Sequence, residues 1–348
     1  MKPRTKALLL LMRAKRGSTG LSGIIAVDKP LGMTSHDVVS TIRRISGERR
    51  VGHCGTLDPN ASGLLLVCIG PATRLSNYLT GKRKRYHAMV AFGSATDTDD
   101  ADGTVIDTQP VSIKLKSESF VQSYLAGLVG THEQVPPAYS AVKRDGVRAY
   151  AVARSGKTPE LEARSIEVFA AELLGMSEYA GNIELPSALC WNLDLEVSKG
   201  TYIRALARDI AAELETCAHL KALRRTHSGA MSVDEAFALD EIQERGVEAC
   251  YLDPFCALGL PVLALSDEEC AHVSNGRPLP YNEKAVLDAS AVRCADANKK
   301  GDAIVACSYN GSLLALYEHE KDSKSLRALT VIPGGLSASS STARGLYE

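Results

Sequence analysis

Ten consecutive residues, Ala188–Val197 (ALCWNLDLEV), constrain this chain more than any other segment. Leu189, Trp191, Leu193, Leu195 and Val197 fall on one side of an extended strand, and Cys190, Asn192, Asp194 and Glu196 fall on the other. A period of two with one apolar side predicts a half-buried strand. Strands of that kind belong to sheets that are at least partly antiparallel, because all-parallel sheets are covered on both faces. A helix is predicted over 203–215, with Ile203, Leu206, Ile210 and Leu214 on one stripe. Upstream, residues 23–28 read as a strand that stops at Lys29-Pro30, and Ser35 reads as the N-cap of a helix over 36–46. The Gly, Pro, Asp and Asn residues of 52–63 predict a loop. Residues 64–69 read as a buried strand, 72–79 as a short helix and 86–92 as a strand. Strands and helices alternate without regular βαβ units. The expected class is therefore α+β: a mixed, largely antiparallel sheet with flanking helices.

At 348 residues the chain exceeds one average domain, and 45% hydrophobic with 23% charged residues is an ordinary globular composition. Residues 250–262 read as a connector. Beyond it, short strands are predicted over 303–307, 313–317 and 329–332, with Asn310-Gly311 as a turn. The expected organisation is a basic, disordered extension (1–22), a main domain (23–255), a small β-rich module (256–333) and a disordered tail (334–348). The nine cysteines include no CxxC pair, so no metal is expected, and reduced thiols in a cytoplasm fit best. The N-terminal apolar run, residues 7–12, is shorter than a signal peptide's or a membrane span's, so no membrane association is expected.

The net charge is −1, yet the charges segregate. Residues 1–16 carry six Lys or Arg and no acid, and Lys82, Arg83, Lys84 and Arg85 are consecutive. Arg43, Arg44, Arg49 and Arg50 flank a helix end, and Lys221, Arg224 and Arg225 cluster further on. Acids gather in TDTDDADG (96–103). Any one of these runs reads most simply as solvated surface, but together they can steer a polyanion.

Three segments carry candidate chemistry: GHCGTLDPNASG (52–63), KRKRYHAMV (82–90) and SKGTYIRALARDI (198–210) with LRRTHSG (223–229). In isolation Asp58 is an ordinary Asp-Pro turn residue. Three glycines around it (Gly52, Gly55, Gly63) allow a tight loop and close backbone approach. A carboxylate on such a loop can serve as nucleophile or base. Arg204, at a helix start, can pair bidentately with a carboxylate or be a plain helix-end arginine. Tyr86 can pack in a core or offer a platform for a nucleobase beside phosphate-binding cations.

Taken in order, these segments resemble the TruB family of tRNA pseudouridine-55 synthases. The likeness starts at DKPLGMTS (28–35) and GHCGTLDPNASG, and continues through RYHA (85–88), TDTDDADG, QVPPAYSAVK (134–143), KGTYIR (199–204) and LRRT (223–226). It covers residues 23–232 collinearly. Cys54 departs from the family pattern, which often has Thr or Ser there. The resemblance implies a pseudouridine synthase fold, with the C-terminal module weakly similar to a PUA-like RNA-binding domain. It implies that Asp58 is the catalytic aspartate, that Arg204 pairs with it, and that Tyr86 stacks on a flipped uracil and is a candidate for removing its C5 proton. It implies pocket-lining roles for Tyr202 and Leu223, an RNA-loop-opening role for His53 and a loop-supporting role for Lys29. Arg74 is counted with these as a substrate-binding residue.

The implied substrate is a uridine of tRNA, at position 55 in the T-stem-loop. The reaction breaks the N1–C1′ bond, turns the uracil and joins C5 to C1′. It needs no redox change or phosphate donor, which agrees with the lack of a Walker loop, a zinc ligand set or a dinucleotide fingerprint; no cofactor is expected. Extruding the uridine costs a few kcal/mol, and stacking on an aromatic side chain returns about 1–3 kcal/mol. A monomer with no obligatory protein partner is expected. One alternative is the archaeal/eukaryotic relative that works inside a guide-RNA particle. Another is a non-catalytic RNA chaperone on the same scaffold. Thiol chemistry at His53-Cys54 is a third, although adjacent loop side chains usually point apart.

Overall fold

The computed structural model describes residues 19–140, 143–144, 147–149, 152, 159–179, 188–280, 286–287, 304–319 and 325–337. Of the segments expected to be disordered, 1–18 and 338–348 lie outside these. Within them the chain forms two compact units. One comprises the described residues of Met1–Pro59, Gly63–Lys82 and His227–Glu348, and the other Asn60–Ser62 with Arg83–Thr226.

In the first unit, β1 (Gly23–Lys29) and β2 (Val51–His53) both pair antiparallel with β3 (Ala61–Ile69). Alternate residues of β1 and β3 enter different cores. Ile25, Val27, Leu65, Val67 and Ile69 pack with Val38, Val39 and Ile42 of helix α1 (Ser35–Ser46), and with Ile242 of the later helix Leu239–Arg245. Ile24, Ala26, Leu64, Leu66 and Cys68 face the opposite way, into a second core. Both faces of β3 are thus covered. That is why its sequence is a continuous apolar run rather than an alternating one. The structure corrects the expected helix start: Thr34, not Ser35, is the N-cap, and Thr34 and Asp37 form a reciprocal capping box. The expected helix over 72–79 is a 3₁₀ turn, Gly70–Leu75, followed by helix α2 (Ser76–Thr80).

The second core contains more than the N-terminal strands. Ala72, Leu75 and Leu79 share it with Phe255 and Leu258 of helix Pro254–Leu258, and with Ala306, Leu313, Leu316, Ile332 and Leu336. The last five belong to a six-stranded C-terminal sheet containing β17 (Ile304–Tyr309), β18 (Ser312–His319) and β19 (Ser325–Leu336). The expected connector over 250–262 is therefore a packed helical segment. The β-rich module shares its hydrophobic core with the N-terminal strands, so removing residues 260–348 would expose that core. β19 also runs to Leu336, three residues into the expected tail, because Gly334 and Gly335 take positive φ (+85° and +71°) and let the strand bend.

The second unit is built on strands in the order β12-β4-β11-β10-β7, namely Ala218–Ser228, Lys84–Phe92, Ala188–Val197, Arg164–Tyr179 and Gly130–Gln134. β4, β11, β10 and β7 pair antiparallel in succession. The predicted inward side of β11 is buried from Leu189 to Val197, with Trp191 donating its indole N–H to the Leu115 carbonyl at 2.9 Å. Its other side is less wet than the alternation suggests: Cys190 is fully buried and Asp194 is only 7% exposed. Helix α3 (Ile203–Glu213) buries Ile203, Leu206 and Ile210, two residues shorter than expected. The acidic run 96–103 forms the turn between β5 (Ser94–Thr96) and β6 (Val105–Thr108). The α+β class, with largely antiparallel sheets, is the observed one.

Candidate functional site

Asp58 lies in the first unit on a loop gripped from both sides. β1 ends at Lys29, whose side chain is fully buried. The Lys29 ammonium donates to the carbonyls of Pro30 (2.8 Å), Met33 (2.7 Å) and Pro59 (3.4 Å). The Gly32 N–H donates to the same Pro59 carbonyl at 2.9 Å. Before Asp58, the buried Ser35 hydroxyl accepts from the Leu57 N–H at 2.8 Å and donates to the Leu57 carbonyl at 3.0 Å. The residues flanking Asp58 are thus held by side chains and backbone from 29–35, and Asp58 itself is half-buried. Gly55 and Gly63 have φ of +107° and +99°, where a side chain would strain the loop. Gly52 is different, since an added Cβ would make only ordinary contact with Thr73 at 4.0 Å.

His53 sits in β2 opposite Val67, half-buried. Cys54 turns into the core, 1% exposed, with its Sγ 3.4 Å from that of Cys68. The hydrogen bond from Cys54, together with burial, pushes the Cys68 thiol well above its ordinary pKa. Cys54 thus sits as a small core side chain rather than on the open face of the loop. Arg74, exposed on its 3₁₀ turn, donates to the Val331 carbonyl of β19.

The second unit carries Tyr86, Tyr202, Arg204 and Leu223. Tyr86 is 8% exposed on β4, paired with Leu195 of β11. Leu223 is half-buried on β12. Tyr202 is the N-cap of α3. Arg204, in the first turn, is 6% exposed rather than a solvated helix end. Its guanidinium donates to the Thr98 carbonyl (2.9 Å) and the Tyr139 carbonyl (3.0 Å) and lies 3.5 Å from the Asp100 carboxylate. One turn on, Arg208 pairs with Asp99 at 3.0 Å and donates to the Val135 carbonyl at 2.8 Å. Burial raises the Asp99 pKa, against the pull of Arg208 and Arg204.

Sequence reasoning missed Ser35, Gln134, Asp99 and Asp100 as supports. They lie within segments it had singled out, but their partners are distant in the chain. The basic run 82–85 also divides by face. Arg85 grips Asp194 through Nε at 2.9 Å to both carboxylate oxygens, and Arg83 meets Glu196 at 3.4 Å and lies over the Phe169 ring. Arg83, just before β4, and Arg85 within it alternate with Lys84 and Tyr86, which are buried. Among the described residues no three His, Cys, Asp or Glu side chains form a metal-holding group, and no helix is long and apolar enough to cross a membrane.

Comparison with solved structures places the fold among pseudouridine synthases. The chain superposes on one from a Cbf5–Nop10–Gar1 complex with a TM-score of 0.61 and 26% identity, covering 89% of this chain and 83% of that one. A second, from an archaeal box H/ACA Nop10–Cbf5 complex, gives 0.58 at 23% identity and supports the fold alone. Residues 43–203 match the TruB family pseudouridylate synthase N-terminal domain, and 204–255 match the tRNA pseudouridylate synthase B C-terminal domain. The chain is 43% identical over 258 residues to tRNA pseudouridine synthase B of Mycobacteroides abscessus, spanning 74% of this chain and 84% of the relative. It is 43% identical over 256 residues to the protein of that name from Thermobifida fusca, spanning 73% and 85%. The chain belongs to the TruB family of pseudouridylate synthases.

Proposed function

We propose that this protein converts a uridine of tRNA to pseudouridine, at position 55 in the T-loop, with Asp58 as the reacting carboxylate. The observation that carries this reading is the 43% identity to curated tRNA pseudouridine synthases B over about three quarters of the chain. In this reading the uridine is flipped out of its stack, and Tyr86 stacks on the uracil and takes the C5 proton once C5 has joined C1′. Arg204 pairs with Asp58 and keeps it ionised against the pKa-raising effect of burial. Tyr202 and Leu223 line the pocket, and His53 holds the RNA loop open. Lys29 supports the Asp58 loop, in keeping with its bonds around Pro59. Arg74 contributes to RNA binding from the exposed 3₁₀ turn, and the C-terminal sheet acts as a PUA-like platform for the acceptor side of the RNA. The isomerisation balances with no cofactor, because the proton lost at C5 is matched by one gained at N1.

The protein acts alone, as a cytoplasmic monomer on free tRNA. The 43% identity to synthases named for tRNA, against 26% to Cbf5, favours this over guide-RNA-dependent action. The test is to treat unmodified tRNA transcript with purified protein and map pseudouridine by sequence position. Pseudouridine at one T-loop uridine is expected, and Asp58→Asn should lower its rate at least about 10³-fold while leaving tRNA affinity nearly unchanged. An active Asp58→Asn enzyme would refute the assignment. A wild-type protein silent on bare transcript would refute stand-alone action.

A further inference from the structure

The QVPPAYSAVK segment was singled out by resemblance but given no task, and its first residue makes an unusual contact. Gln134, the last residue of β7, is 2% exposed. Its backbone is fixed opposite Arg164 of β10. Its carboxamide oxygen accepts from the Tyr202 N–H at 2.9 Å, and its amide nitrogen donates to the Tyr202 carbonyl at 3.2 Å. One side chain thus pairs with both backbone polar groups of a residue 68 positions away, as a neighbouring strand would. The same segment reaches α3 twice more, since Val135 and Tyr139 lend carbonyls to Arg208 and Arg204. Two buried prolines, Pro136 and Pro137, stiffen the chain between these carbonyls.

We propose that Gln134 is a positioning residue for uridine isomerisation: its buried carboxamide sets the backbone of Tyr202 and thereby the helix start that aims Tyr202 and Arg204. The inference deepens the function proposed above and rests on it. A hydrophobic replacement removes the acceptor for the Tyr202 N–H and one of two donors to the Tyr202 carbonyl, which keeps its bond from the Leu206 N–H at 2.9 Å. Glutamate keeps the acceptor, but when ionised it turns a negative oxygen toward the Tyr202 carbonyl. Protonated, it regains one donor and one acceptor in nearly the shape of the amide.

Gln134→Leu and Gln134→Glu in the full chain test this. The measurements are single-turnover pseudouridine formation on saturated tRNA transcript, tRNA affinity, and hydrogen exchange at the Tyr202 amide. Gln134→Leu should slow the single turnover by roughly 10- to 100-fold, as small misplacements of reacting groups do. Affinity should change far less, and the Tyr202 amide should exchange faster. Gln134→Glu should be slow at about pH 8 and recover relative to wild type toward about pH 6, because burial raises the pKa of the introduced carboxyl. If Gln134→Leu does not fold, the pH-dependent recovery of Gln134→Glu carries the test. A rate for Gln134→Leu equal to wild type, or a Gln134→Glu profile parallel to wild type, would overturn the proposal. Unchanged Tyr202 exchange in a folded Gln134→Leu protein would overturn the contact itself. A wild-type protein that forms no pseudouridine would instead overturn the underlying functional reading, and the positioning role with it.

Discussion

The two units are made from the chain in different ways. The second is almost one continuous stretch, Arg83–Thr226, in which β10 pairs with its near neighbours β7 and β11 while β4 pairs with β11 across the length of the unit. The first is stitched from separated pieces, with strands near residues 25 and 65 sharing a core with strands near 305 and 335. The second unit therefore closes within a single stretch of chain. The first depends on parts of the chain that lie far beyond any local pattern, and the C-terminal sheet is structural there whatever it does with RNA.

The harshest test of that contrast is truncation at residue 260. It strips Ala306, Leu313, Leu316, Ile332 and Leu336 from the core around Leu75 and Leu79. At about 1.5–3 kcal/mol for each large buried apolar side chain, the loss rivals a domain's whole stability. Hydrogen exchange should show protection collapsing in β1 and β3 while β4, β10 and β11 keep theirs. Equal loss in both units would break the distinction. A smaller effect is expected at the Asp58 loop. Ser35→Ala removes both bonds to Leu57 and should cost about 1–3 kcal/mol in chemical denaturation. Asp58→Asn, on the same loop, should be close to neutral for stability, and a large cost there would show that the carboxylate braces the loop. The mildest effect belongs to the second unit. His219 is buried with its Nδ1 3.0 Å from the Ser94 carbonyl, and burial lowers its pKa below the ordinary 6.5. The unfolded chain then binds the proton more readily, so His219's contribution is complete above 6.5 and is lost as pH falls below it. Thermal unfolding followed between about pH 7.5 and 5 should show this slope in wild type and less of it in His219→Gln.

What could be read from the sequence follows the same division. The bounds and inward side of Ala188–Val197 were legible from its alternation, but the burial of Cys190 and Asp194 on its other side was not. The apolar run in β3 announced burial but not what buries it. Thr34 and Ser35 are both good cap residues; Thr34 caps with Asp37, while Ser35 bonds Leu57, a contact that periodicity does not encode. The acidic run 96–103 was plain to see, but its pairing with Arg204 and Arg208 spans about a hundred residues and emerges only from folding. The residues proposed for chemistry were legible only through resemblance, since Asp58, Tyr86 and Arg204 have commonplace local contexts.

The double cover of β3 has a consequence for synthesis. On the ribosome, the side of this strand bearing Leu64, Leu66 and Cys68 emerges long before Ile332 and Leu336 exist to shield it. For most of its translation the nascent polypeptide carries a greasy, unroofed ledge. Its yield in the cell should therefore depend on how well that ledge is chaperoned until the final strands arrive.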